Sequence, residues 1–245
     1  MKNISVKIIA LVFAFLLGVS FVIIYYFYSI PEISKPELIK PEETFDCVKQ
    51  NSFPGLSQKI SELEKFKNGY FPKKTFTDGW ENSDAFTNEW YGKHLKAMGE
   101  KSLIKVSDQN PEIYRFLWLR TFHHPIFVRV ERTSAHSFDL ISRELDGAGG
   151  YEPGENYRTI RRSLDENEWC EFIKILAKAN YWKLPTNQPD EMGNDGAQWI
   201  LEGVKDGRYH IVDRWTPQSG EFREACIYLL RLSHIDVDRL KDDLY

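Results

Sequence analysis

Between Ile8 and Tyr28 the chain reads IIALVFAFLLGVSFVIIYYFY, 21 residues without a single charge. At about 1.5 Å per residue a helix of this length crosses the roughly 30 Å hydrocarbon layer, so the run predicts a transmembrane helix. A cleaved signal peptide is the competing reading, with Gly18-Val19-Ser20 as a small-residue cleavage site. The apolar run nevertheless continues through Phe21 to Tyr28, and cleavage there leaves an apolar new N-terminus. No cysteine follows in the way a lipoprotein signal needs. Lys2 and Lys7 flank the run on its N-terminal side, whereas PEISKPELIKPEET beyond it carries four Glu to two Lys. The positive-inside rule then leaves the N-terminus in the cytoplasm and sends the rest across the membrane.

Three units opening with Pro-Glu follow, PEISK, PELIK and PEETF. Proline at this spacing favours an extended, solvated chain, and the PxxP pattern of a proline-rich ligand is missing. The reading therefore divides the chain into cytoplasmic residues 1–7, a transmembrane helix 8–28, a spacer 29–50 and one extracytoplasmic domain 51–245. With 42% hydrophobic and 14% aromatic residues, that domain has enough apolar side chains for one well-buried core. Setting Lys2 and Lys7 aside, all 36 acidic residues stand against 30 of the 32 basic ones, which offers duplex nucleic acid no electrostatic footprint. Three cysteines in an oxidising compartment fit one disulfide and one free thiol. Cys170 and Cys226 both fall on apolar helix faces; they are read as small buried hydrophobes, with a Cys170–Cys226 bridge as the alternative.

The periodicity predicts an amphipathic helix over 55–69, with Leu56, Ile60, Leu63 and Phe66 on one stripe. Residues 70–100 are read as mostly irregular, with one short helix in NEWYGKHLKAM. Then the period changes. EIYRFLWLRTF, PIFVRVERT and HSFDLISREL alternate apolar with polar residues between turn signals, which predicts an antiparallel meander. A short strand over 157–162 follows the glycine-rich GAGGYEPGEN, which is read as a mobile loop because it lacks the Gly-Lys-Ser/Thr of a phosphate cradle. Ser163 to Glu166 fits a capping box for a helix lined by Trp169, Phe172, Ile173 and Leu176. A hairpin over 195–217 and a helix over 221–234 close the fold. The expected class is α+β, mainly an antiparallel sheet of meander plus C-terminal hairpin, with helices packed on one face.

That hairpin, DGAQWILEGVKDGRYHIVDRWTP, holds the densest set of reactive side chains. A two-residue type I′ turn at Asp206-Gly207 pairs Val204 with Tyr209 and Trp199 with Arg214, and puts Glu202 and Asp213 on one face. A glycine-bulged turn instead pairs Glu202 with His210 and Gln198 with Arg214. The bulged register sorts polar with polar and is the expected one. If Glu202, His210 and Asp213 converged in a cleft, they would be the candidates for acid-base hydrolysis; otherwise they are cross-strand pairs on a solvated face. His123, His124 and His136 are the only candidates for a metal site, and no recognised ligand spacing supports one. No cofactor is expected.

Every basic residue between Val106 and Ile173 is arginine, a side chain whose planar fork suits carboxylates and phosphates. Arg158 and Arg161, with Trp199, Arg214 and Trp215 of the hairpin, are the candidate binding residues. Pairing of the arginines with Glu131, Asp139 and Glu144 on neighbouring strands is the competing explanation.

The positions Asp195, Gly196, Trp199, Leu201, Glu202 and Gly203, then Gly207, Tyr209, His210 and Val212, and finally Arg214, Trp215 and Pro217 resemble the signature of a group of bacterial membrane-anchored envelope proteins with no assigned activity. The likeness covers about the C-terminal third and implies a bacterial origin without implying a chemistry. The leading functional expectation is a non-enzymatic domain, anchored in the bacterial inner membrane and periplasmic or extracellular, that binds a protein or envelope component. An immunity-type protein against a delivered toxin is one version. A small hydrolase and a structural or assembly subunit of the envelope are the alternatives.

Overall fold

The alternating segments form a single antiparallel sheet. Its strands are β1 (Gln58–Lys59), β2 (Glu112–Arg120), β3 (Ile126–Ser134), β4 (Ser137–Leu145), β5 (Asn156–Leu164), β6 (Ala197–Lys205) and β7 (Arg208–Trp215). Among the described residues three α-helices accompany them, α1 (Ser83–Ala97), α2 (Glu166–Lys178) and α3 (Glu221–Leu232). The structure is a computed structural model that describes residues 47, 55–77, 82–105, 111–188, 195–237 and 244–245, all within the unit Asp46–Tyr245. The apolar run 8–28 and the spacer, apart from Cys47, lie outside the described residues. Among those described, no helix is long and apolar enough to cross a membrane.

The strand order is β1-β7-β6-β2-β3-β4-β5, so the meander is continuous and the hairpin lies beside its first strand. β2 is buried along all nine residues, because both faces of the sheet are covered over its length. On the first face Tyr114, Phe116, Trp118, Val128, Val130, Phe138, Trp199, Leu201 and Val212 pack with Trp169, Phe172, Leu229 and Leu230 of α2 and α3. Phe138 stacks on Trp169 at 4.8 Å, and the Trp199 and Trp118 indoles both donate to the Tyr245 carbonyl. On the second face Ile113, Leu117, Leu119, Phe127, Ile200, Val204, Tyr209 and Ile211 meet Tyr91 and Leu95 of α1 with Phe71, Phe76 and Met98. Helices therefore lie on both faces rather than one. The sequence conceals this because α1 buries Ser83, Asn88, Gly92 and His94 beside Tyr91 and Leu95, which leaves no clear apolar stripe.

The segment 55–69 is not a helix. Gln58 and Lys59 pair with Tyr209 and Arg208, and Leu56 N–H donates to the Trp182 carbonyl at 2.7 Å. So short an amphipathic stretch is a marginal helix alone, and closing the β7 edge outweighs its propensity. Ile60 and Leu63 still reach the second core. The cap of α2 falls two residues later than the motif predicts: Asp165 accepts from Glu168 N–H while Glu168 accepts from Asp165 N–H. The glycine-rich loop is tied down rather than mobile, since Ala148 pairs with Glu152, Gly149 with His123 and Gly150 with Thr121, and the Trp90 indole donates to the Gly149 carbonyl.

Cys170 bridges Cys47, not Cys226, with 5.2 Å between Cα atoms and 123 residues between them in sequence. Cys226 is a free, buried thiol facing the first core. Cys47, assigned to the spacer by sequence, thus belongs to the fold, and α2 and α3 present their two cysteines to different neighbours.

Candidate functional site

Asp206 and Gly207 both have positive φ, 49° and 69°, which is the type I′ geometry. The register is Val204 with Tyr209, Gly203 with His210, Glu202 with Ile211 and Trp199 with Arg214. The bulged register expected from polar sorting is therefore overturned. Polar sorting fails as a guide because the hairpin faces are not solvated: each carries a core, and the apolar residues of both parities decide the register.

Read across five pairings, this register builds one straight row on the α1 side: Ile211, Glu202, Arg115, Arg129, Ile141, Arg161. Arg115 and Arg129 are direct cross-strand neighbours, an arrangement that repels unless carboxylates intervene. Two do. Arg115 Nε and Nη2 donate to Glu202 Oε2 at 2.8 and 2.6 Å, and its Nη1 reaches Glu100 Oε2 at 3.2 Å and the Lys101 carbonyl at 2.6 Å. Glu100 Oε2 also lies 3.1 Å from Arg129 Nε, and Arg129 pairs with Glu131. The Tyr209 hydroxyl donates to Glu202 Oε1 at 3.0 Å. Arg115 and Glu202 have no exposed surface. Burial works to lower the Arg115 pKa, and the Glu202 and Glu100 carboxylates overcome it and hold the guanidinium charged. Burial pushes Glu202 up, against the pull of Arg115 and Tyr209.

The hydrolytic trio does not converge. Glu202 and Asp213 share the α1 face, whereas His210 alternates to the other, its ring 5.1 Å from Tyr181 and 6.0 Å from Trp182. Burial lowers His210 to about 4, a neutral ring at ordinary pH. Asp213 accepts from the Tyr91 hydroxyl at 2.9 Å, and burial raises it to about 7. Glu202 is fully engaged by Arg115 and Tyr209, so these three side chains do not meet in one cleft.

Comparison with protein-family models, curated proteins and solved structures finds no match. Function must then be read from geometry. The signature residues of the hairpin are mostly spent on the fold. Trp199 is wholly buried in the first core, out of a ligand's reach. A Cβ on Gly203 would lie 2.9 Å from the Tyr181 ring, so this glycine makes the seat from which the Tyr181 hydroxyl donates to the Leu201 and His210 carbonyls. Arg214 is buried and clamps the Pro185 and Thr186 carbonyls, and the Trp215 ring lies over Gly196. Of the candidate binding residues, Arg158 lies 3.4 Å from Glu144 and Arg161 alone is open to solvent without a protein partner among the described residues.

The histidines separate as well. His123 and His124 occupy the β2–β3 turn and His136 the β3–β4 turn, at opposite ends of nine-residue β3, roughly 30 Å apart. His123 Nδ1 meets the Tyr245 hydroxyl, His124 faces Glu144 and His136 faces Glu166. Among the described residues no cluster could hold a metal ion.

Two open surfaces are found among the described residues: a depression of about 510 Å³ at the β7 edge, lined by Leu56, Lys73, Asn187 and His210, and a groove on the outer strands. The α1 layer covers β7, β6 and β2 and reaches Phe127 of β3 and Leu145 of β4, but leaves the rest of β4 and β5 open as a groove of about 350 Å³ lined by Arg129, Glu131, Asp139, Ile141, Arg161 and Ser163. Arg129, Ile141 and Arg161 form one row of its floor and Glu131, Asp139 and Ser163 the next. Arg143, in the row beyond, is held by the Met98 carbonyl and Thr159. Neutralisation by neighbouring acids accounts for Arg129, Arg132, Arg158 and Arg162, whose partners are Glu100 and Glu131, Glu112, Glu144 and Glu168. Sequence marks the arginines but not this division, which needs the pairing of β3, β4 and β5.

Proposed function

We propose that the chain is a single-pass bacterial inner-membrane protein whose extracytoplasmic domain binds a protein or envelope component and is not an enzyme. The supporting observation is the uncovered outer half of the α1 face. Its groove joins a half-buried Ile141 to an unengaged Arg161, while Arg115, Glu202, Arg129, Arg158 and Arg162 are held in ion pairs. A surface of this kind, charged side chains around a half-buried Ile141, suits recognition. The Cys47–Cys170 disulfide accords with an oxidising compartment, and the apolar run 8–28 accords with a tether that raises local concentration at the membrane. An immunity-type role against a delivered toxin is one form of this reading.

The test is capture from bacterial envelope extracts with the full-length, detergent-solubilised chain. The expected result is a partner that saturates with added extract and is displaced by untagged chain. Failure to recover any saturable, displaceable partner rejects binding as the function.

A further inference from the structure

Strand β5 is the free edge of the sheet. It runs nine residues, NYRTIRRSL, with no proline, and among the described residues it pairs only with β4. Long bare edges are ready templates for another strand, and proteins normally blunt them by shortening or covering. The opposite edge is managed in that way, with β1 and the Thr186 carbonyl bonded along β7. Nothing among the described residues covers β5.

Its charge is the second observation. The strand carries Arg158, Arg161 and Arg162 and no acid, on a chain whose net charge is −4. Arg158 and Arg162 turn to the α2 side, where they meet Glu144 and Glu168. Arg161 turns to the groove and extends the row Arg129, Ile141, Arg161 to the edge. A second copy of the chain is a poor occupant, because an antiparallel β5–β5 pairing about Ile160 sets Arg158 against Arg162 at both ends. An acidic extended chain fits, since the strand carries three arginines and no acid and Arg161 is exposed at its groove side. Tyr157, 64% exposed with its ring 5.0 Å from His124, offers an aromatic contact at the start of the strand.

We propose that β5 recognises an acidic, extended segment of a protein partner by strand addition, its backbone bonding to the β5 edge and a carboxylate side chain meeting Arg161 over the groove. This rests on the binding function proposed above and names its surface and partner chemistry. A polypeptide is favoured over an anionic polymer because only a polypeptide supplies alternating N–H and C=O groups to a sheet edge.

The probe is a fluorescent nine-residue peptide alternating glutamate with valine, titrated by anisotropy into the full-length chain in detergent. Saturable binding is expected, with a lysine–valine peptide failing to bind. Arg161→Glu should weaken the glutamate peptide roughly five- to tenfold with unchanged circular dichroism and melting. Alternate N–H groups of a strand point the same way, so methylating one alternate set of peptide amides should abolish binding and methylating the other set should not. Absence of saturable binding up to millimolar peptide overturns the proposal, as does equal tolerance of both methylated sets. Arg161-dependent binding of inorganic polyphosphate without peptide binding also overturns it and assigns the edge to a polymer. The envelope capture repeated with Arg161→Glu separates the two levels: a saturable partner retained undiminished leaves the binding function standing and removes it from β5.

Discussion

The two faces of the sheet solve the same burial problem with different chemistry. The α2–α3 face is filled mainly by aromatic and aliphatic side chains, with the Glu112–Lys205 ion pair at one end, and the Trp118 and Trp199 indoles and Tyr181 hydroxyl find carbonyl partners. The α1 face has an apolar core too, but a charged row runs through it from buried Glu202 and Arg115 to solvent at Arg161. Burying an ion pair contributes little net stability compared with apolar packing, yet removing one member is costly because the other stays unpaired. The first face therefore depends on volume, and the second on pairing. The charged row of the second face runs out into the groove at Arg161, which connects that interior with a surface able to take a partner.

The sharpest way to break this contrast is substitution at equivalent depth. Trp199→Ala should cost about 3–5 kcal/mol through lost burial and a cavity, with no single second substitution restoring it. Arg115→Met should cost a similar 3–5 kcal/mol, but adding Glu202→Leu should recover most of it, as measured by urea midpoints of both variants and the double. If the double variant is no better than the single one, pairing is not what the second face depends on.

Reduction of the Cys47–Cys170 bridge should come next, at about 2–4 kcal/mol, because a closed loop of this length restricts the unfolded chain. A Cys170→Ser variant should melt as the reduced wild type does, while Cys226→Ser should keep the wild-type shift on reduction, since Cys226 is unbridged. Gly203→Ala should follow at about 1–3 kcal/mol, from a methyl forced onto the Tyr181 ring.

The buried titratable groups should also differ in pH response. Asp213, on the α1 face, titrates near 7 when folded instead of 3.8, so its contribution to stability is full below about pH 4 and lost as pH rises to 7. His210, on the other face, is lowered to about 4, so its contribution is full above about 6.5 and lost as pH falls. His94, lowered to about 4 by burial and then by Lys93, acts as His210 does. These opposing terms partly cancel between pH 4 and 6.5. Asp213→Asn should therefore make stability rise more steeply with pH across that window; denaturation midpoints with an unchanged slope would contradict this. The smallest effect is expected at Arg161→Glu, within about 0.5 kcal/mol of wild type, because the side chain is exposed and supports no contact.

Much of the sheet is legible in the sequence. The strands β2, β3 and β4 follow from alternation between turn signals, and α2 and α3 from apolar stripes, because in those segments local pattern and tertiary burial agree. α1 is legible only in part, since His94 and Asn88 are buried on a face that reads as polar. The site is legible only as a list of arginines. Arg115, Arg129 and Arg161 lie far apart in sequence, and nothing local states that they share a row or that only the last is free.

What the sequence determined by itself is local: an apolar run long enough to span a bilayer, the strand and helix periodicities, and the Asp-Gly that turns the hairpin. Tertiary structure alone decided the register of that hairpin, the partner of Cys170 and the separation of His210 from Glu202 and Asp213. The physical reason is the two-residue period of a strand. A slip of one residue exchanges its faces, and the choice is made by side chains from distant segments that must fill a core on each side.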